Sequence, residues 1–215
     1  MTGLHRKLFR DFVSLGPQVF TIALLILGGL SVMFSSWSSY ESLERAKNFF
    51  YNEYQFGDIF VDIVRAPESI VHKISQWEGV RRVESRILKD GLIDVPGQIE
   101  PALGRFISWK GIHQKINLIY LRQGRMPQKN SVTEVVVHEA FAVAHHLKVG
   151  DSLQVLLAGK KRKLIISGVG LSAEYVYALS PVAPLPDDKH FGIFWVRQKD
   201  MERSEEHTSE LQSQR

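Results

Sequence analysis

The chain has 215 residues, a formal net charge of +4 and no cysteine; 44% of it is apolar and 23% charged. That length suffices for one domain of ordinary size plus a membrane segment, and the composition is that of a folding chain. Without cysteine there are no disulfides, thiol nucleophiles or cysteine-based zinc or iron–sulfur sites, and the mild, dispersed positive excess requires no nucleic-acid footprint; no nucleic-acid partner is expected.

In chain order, MTGLHRKLFRDF spaces Leu4, Leu8 and Phe12 as a helix does, with Arg6, Lys7 and Arg10 on other faces. This predicts a short amphipathic helix at a membrane surface. No charge occurs between Asp11 and Glu41. A helix from Pro17 to Trp37 is about 31 Å long at the usual rise per residue, enough to cross a hydrocarbon core. Trp37 and Tyr40 stand where an interfacial aromatic belt falls, and the basic near flank puts the amino terminus in the cytoplasm. Composition alone leaves three roles open for this stretch: a cleaved signal, a lone anchor or the first of several spans. A signal cleavage site is poorly formed, because the small residues Ser36 and Ser38 flank a tryptophan.

Leu43, Lys47, Phe50 and Tyr54 continue at helical spacing, so the span is expected to run on into a stalk. GDIFVDIV, residues 57–64, alternates as a strand does, with Ile59, Val61 and Ile63 on one face. Pro67 opens a helix carrying Ile70, Ile74 and Trp77, which Gly79 stops. VRRVESRILKDGLIDV predicts one or two strands and GRFISW another, with turns at Pro96–Gly97 and Pro101–Gly104. Gly124 and Pro127 predict a turn, EVVVHE a strand, AFAVAHHL a short helix, and KVGDSLQVLLAGKKRKLIISGVG a hairpin. The β-α-β-β order predicts an α+β domain with its helices on one side of a mostly antiparallel sheet. RSEEHTSELQS, from Arg203, has no hydrophobic period and resembles the in-frame translation of a sequencing-library adapter. Residues 203–215 are therefore set apart from the fold, and the natural frame is expected to continue where they begin.

Candidate chemistry is sparse. In HEAFAVAHH, His138 lies seven and eight residues from His145 and His146, roughly 10 to 12 Å along a helix and too far for one ion. All three are expected to be surface histidines. SGVGLS places Ala173 where a dinucleotide fingerprint needs its third glycine, so its glycines are expected to serve close packing. GKKRK reads as the solvated tip of a hairpin, and Asp187–Asp188, after Pro184 and Pro186, as a loop. Ser, His and Asp occur without a Gly-x-Ser-x-Gly elbow. The expectation is a protein with no catalytic residue, metal or cofactor, and not an enzyme.

Several segments taken in order carry a resemblance. They are the basic start, the single span and stalk, FGDIFVDIVRAP, the Gly-Arg-x-Pro turn at Gly124–Pro127, EVVVHEAFA, the turn at Val149–Asp151, the returning ISGVG, and EYVYALSPVAPLPDDKHFGIFW. Together they resemble the FtsX-like permease family of ABC transporters, of the MacB and LolC type. The resemblance implies a membrane subunit with at least four spans and an extracytoplasmic α+β domain, the MacB-type periplasmic core domain, between the first two. It implies residence in the bacterial cytoplasmic (inner) membrane, an ABC-type ATPase as cytoplasmic partner, and a second permease subunit or module in a dimeric assembly. Motion driven by ATP would reach the outer domain for export, extrusion or lipoprotein release. Only the first span is present here, so the chain reads as an N-terminal fragment, truncated at its C-terminus. The expected organisation is an elbow helix at 1–16, a span at 17–37, a stalk at 38–56, an incomplete domain at 57–202 and the tail at 203–215. On the family mechanism Leu4, Leu8 and Phe12 of the elbow and Leu43, Phe50 and Tyr54 of the stalk would carry motion, and Gly28 and Gly29 would pack against further helices. The alternative is a single-pass anchored domain that binds a ligand or partner.

Overall fold

The computed structural model describes residues 3–64, 67, 69–128, 133–157, 159–179 and 185–201. The chain forms two units, Met1–Phe50 and Tyr51–Arg215.

The described residues of the first unit, 3–50, all lie in one helix. α1 runs from Gly3 to Glu53 over 51 residues with Pro17 inside it, so no break separates the expected elbow, span and stalk. The Thr21 hydroxyl donates to the Pro17 carbonyl at 2.9 Å. Glu41 accepts from Trp37 Nε1 one turn before it and from Arg45 one turn after it, side-chain pairs that support an exposed helix. Within Leu15–Glu53 lies an 18-residue window of mean hydropathy 2.1 with none of it buried, the one candidate span among the described residues. A helix that is apolar all round needs lipid or other helices against it rather than water.

The second unit is α+β. Its elements are α2 (Ser69–Ser75), β1 (Leu88–Asp94), β2 (Ala102–Trp109), β3 (Ile119–Gly124), β4 (Glu134–His138), α3 (Glu139–Ala144), β5 (Ser152–Leu157), β6 (Lys160–Ser172) and β7 (Phe191–Arg197). The strand order is β3-β6-β4-β7-β2-β1-β5, and β5 pairs β6 as well. Six strands therefore close into a ring, with β3 attached outside it. β6 makes the closure possible through its length. Lys160–Ile165 pair antiparallel with β5, Ile165–Gly170 parallel with β4, and Gly168–Ser172 antiparallel with β3. Only β2–β7 and β4–β6 are parallel, so the sheet is mostly antiparallel, as its sequence suggests. It rolls up, however, instead of lying flat under a helical layer, and closure leaves few unpaired edges.

Inside the ring Ile93, Phe106, Val135, Val137, Leu153, Val155, Ile166 and Phe194 pack with Phe141 of α3. The rings of Phe106 and Phe194 stack at 5.1 Å, and Phe141 meets Phe194 edge-on at 5.2 Å. On the outer side Phe191, Ile193 and Trp195 join Ile107, Val136 and Ala178 in a second cluster. β7 is thus buried on both faces, which is why FGIFWV is apolar without alternation. A Cβ at Gly104 would lie 2.4 Å from Ile93 Cδ1, so any larger residue here would displace that buried side chain.

Several sequence expectations change. Residues 57–64 form no strand, and from Asp58 on they are exposed, because an alternating segment without a hydrogen-bonded neighbour is not a strand. VRRVESRILKDGLIDV yields one strand, β1, and Pro101–Gly104 is no turn, since β2 already begins at Ala102. The helix after Pro67 ends at Ser75, short of Trp77. His138 ends β4 as expected but is only 2% exposed, so it is not a surface histidine. β4 lies between β6 and β7 and both its faces are covered, so its side chains from Val135 to His138 are all buried. The His138 Nδ1 accepts from the Ala140 N–H and caps α3, while burial holds its imidazole below the ordinary value. The hairpin tip at Gly159–Lys160, the packing glycines Gly168 and Gly170, and the loop at Asp187 stand as expected. The tail from 203 lies outside the described residues.

Candidate functional site

The best-built local arrangement is the joint where α1 ends. The Phe56 N–H donates to the Tyr51 carbonyl at 2.9 Å and the Gln55 N–H to the Asn52 carbonyl at 3.3 Å. Gln55 between them has φ +50°. This is a Schellman ending, with its accompanying apolar contact: the Tyr51 and Phe56 rings stack at 4.6 Å. It satisfies helix carbonyls that would otherwise be orphaned and sets the direction in which the chain leaves.

The loop before β3 then grips that ending. Leu118 N–H donates to the Tyr54 carbonyl and Asn117 N–H to the Gln55 carbonyl, both at 2.9 Å. The Asn117 side chain returns the bond, accepting from the Gly57 N–H at 2.9 Å. Asn117 has φ +52°, a left-handed conformation asparagine tolerates. Arg82 donates to the Gln55 side chain at 2.5 Å, and the Glu84 carboxylate accepts from Lys115 and Ile116 N–H groups. The Tyr54 ring meets Tyr120 of β3 edge-on at 5.5 Å. Burial and the neighbouring Tyr120 push the Tyr54 phenol up.

A second line of contacts runs from the same ending. Phe56 packs on Phe60 at 5.6 Å, and the Arg86 guanidinium lies 5.5 Å from the Phe60 ring centre. Arg86 forks onto Glu174, in the short turn that follows β6, and the pair is largely buried. Burial works against the Arg86 charge, but the Glu174 carboxylate more than offsets it and holds the guanidinium protonated. Tyr175 beside it is pushed far up, by burial first and Glu174 second. The end of α1 is thereby tied to β3 directly and to the end of β6 through Arg86.

Of the residues expected to carry motion, Tyr54 lies in the joint. Phe50 is half-buried, and Leu43 is 72% exposed. Leu4, Leu8 and Phe12 fall in α1, with their side chains outside the description. At Gly28 and Gly29 a Cβ would meet nothing within 4 Å, so that surface is open. Gln55, Gly57, Arg82, Arg86 and Asn117 escaped the sequence reading. The joint's sequence signal is weak, because a glutamine occupies the position where glycine usually marks a helix end. Among the described residues no group of three or more His, Asp or Glu side chains could hold a metal ion.

No family model matches the sequence, and no curated protein matches it. Among solved structures, the chain is similar to the extracellular domain of the noncanonic ABC-type transporter YknZ from Gram-positive bacteria. That likeness has 13% identity and a TM-score of 0.42, and covers 70% of this chain and 73% of that one.

Proposed function

We propose that this chain is the amino-terminal part of an ABC-transporter membrane subunit of the FtsX-like type, whose outer domain is moved by an ATPase partner on the cytoplasmic side. The observation that carries the proposal is the unbroken α1, apolar enough to cross a bilayer, followed by a joint fastened by backbone hydrogen bonds to the loop before β3. A stiff helix with a fixed ending passes a displacement at one end to whatever is bound at the other. On this reading α1 is the first of several spans and the second unit is extracytoplasmic. ATP hydrolysis belongs to the partner, and a second permease subunit or module completes the assembly. The work done is extrusion, export or lipoprotein release. Leu43, Phe50 and Tyr54 then act along the lever, Leu4, Leu8 and Phe12 at its cytoplasmic end, and Gly28 and Gly29 against the other spans.

The decisive test is to recover the natural coding sequence downstream of Asp200. The expected result is further apolar runs of about 18 residues or more, with an ATPase gene nearby. A stop codon close behind Asp200, in reads free of adapter, would refute the proposal. It would favour a single-pass anchored binding domain, a reading supported by the ring's own buried core.

A further inference from the structure

We propose that His138 is an acid sensor for the clasp between Glu174 and Arg86. When its ring takes up a proton, the start of α3 and the short turn Ala173–Tyr175 loosen together, and Glu174 releases Arg86. All the parts of this device lie in the second unit, and it does not depend on the permease reading.

The ring is built into the core in its neutral form. His138 is the last residue of β4, stands opposite Gly170 of β6 and is 2% exposed. Its Nδ1 accepts from the Ala140 N–H at 3.3 Å, so the one proton of the neutral ring is on Nε2. Nε2 is buried and has no hydrogen-bond partner among the described residues. Neither capping nor packing calls for histidine here. Serine or aspartate caps a helix better, and an aliphatic side chain fills a core without orphaning a donor. What histidine adds is a charge that switches on below neutral pH.

That charge would undo the arrangement at both nitrogens. A protonated Nδ1 would set a donor against the Ala140 donor, and α3 would lose its cap. A charged Nε2 would need an acceptor or water. β6 and β7 offer neither, since Gly170 and Trp195 are what they place beside the ring. The groups able to answer the charge are Tyr175 of the turn, Asp188 before β7 and Glu139 of α3, the last already held by Arg122 at 3.4 Å. Burial outweighs their pull and holds the ring below its ordinary value.

The turn is the part that yields. The Tyr175 backbone lies by the His138 ring, and the residue before it supplies the carboxylate onto which Arg86 forks. Ring and clasp are thus one peptide apart. The turn has three residues, and its start is held by a 3.4 Å bond from the Glu174 N–H to the Ser172 hydroxyl, a weak restraint beside the strand ladders. Arg86 in turn covers Phe60, which packs on Phe56. Acid at His138 therefore reaches the second line of contacts at the joint.

The test is hydrogen exchange by mass spectrometry on the 215-residue chain in detergent, at steps between about pH 7.5 and about pH 5. Amide rates are divided by the intrinsic rate at each pH, and exchange at the imidazole C2 position is followed in the same samples. The C2 titration of His138 should have its midpoint below about 6.5. Protection at residues 173–175 and at the start of α3 should fall about 10-fold along the same curve, while β1 and β5 keep theirs. His138→Asn, which keeps a capping side chain and does not titrate, should hold residues 173–175 equally protected at both ends of the range. A loss of protection that persists in His138→Asn places the sensor elsewhere and overturns the proposal. The unsubstituted chain decides the matter even if that variant does not fold: a His138 titration without a coincident loss at residues 173–175 also overturns it.

Discussion

β5 and residues 57–64 are written in the same pattern and end in opposite environments. SLQVLL hides every second residue inside the ring, whereas GDIFVDIV leaves Ile59, Val61 and Ile63 in water. The difference lies in their neighbours. β5 sits between β1 and β6 and pairs with both, while among the described residues 57–64 pairs with no strand and is held only at Gly57 by Asn117 and at Phe60 by Phe56 and Arg86. An alternating stretch specifies which face it would bury, and the rest of the sheet decides whether that burial happens.

That contrast can be broken most severely from the ring side. Phe194→Ala removes the side chain that Phe106 and Phe141 both pack on, and should cost about 3–5 kcal/mol, read by denaturant unfolding of the second unit. A loss under about 1 kcal/mol would mean that the ring's interior is not the principal source of stability. Next comes the link between the two regions. Glu174→Gln leaves Arg86 without its carboxylate, and should cost about 2 kcal/mol while raising exchange near Phe60. Asn117→Ala removes the acceptor for Gly57 and puts alanine at φ +52°. Exchange at residues 54–57 should then rise about 10-fold, with the ring unaffected.

A smaller effect is expected from acid. His138 titrates below its ordinary value in the folded chain, so the unfolded chain binds the proton more readily. Stability from the neutral ring is therefore complete above about pH 6.5 and is lost as pH falls beneath that value. His138→Asn, which keeps a capping side chain but does not titrate, should flatten melting temperature against pH between about 6.5 and 5. An unchanged slope would shift the acid sensitivity to His145, whose burial also lowers it. Smallest of all, Val61→Thr in the 215-residue chain should change stability by no more than about 0.5 kcal/mol, because the side chain has nothing to leave.

The class of fold and several elements were legible in the sequence: the long apolar helix, the β5–β6 hairpin, β4 and α3 all follow from periodicity and turn residues. β7 was not, because a strand buried on both faces has no period to display. The same burial misled the reading of His138, whose neighbours Val135 to Val137 fill both faces of β4. Ring closure was hidden because it depends on one strand, β6, serving three partners at successive registers, which no local pattern encodes. The joint was half legible. Tyr54 stood out by helical spacing, but Asn117 lies 60 residues downstream of Gly57 and shows only in three dimensions.

The position of β7 bears on how the domain is made. It is the last strand in the described chain, yet it lies in the middle of the sheet, between β4 and β2. A nascent chain halted before Phe191 therefore presents two adjacent open edges, when α1 has long since been synthesised. The sequence-distant pairing of β2 with β7, Leu103 with Phe191, closes the ring only at the end. Until then the emerging domain is an open sheet tethered by its first helix, exposed to pairing with neighbouring chains and dependent on whatever shields it during translation.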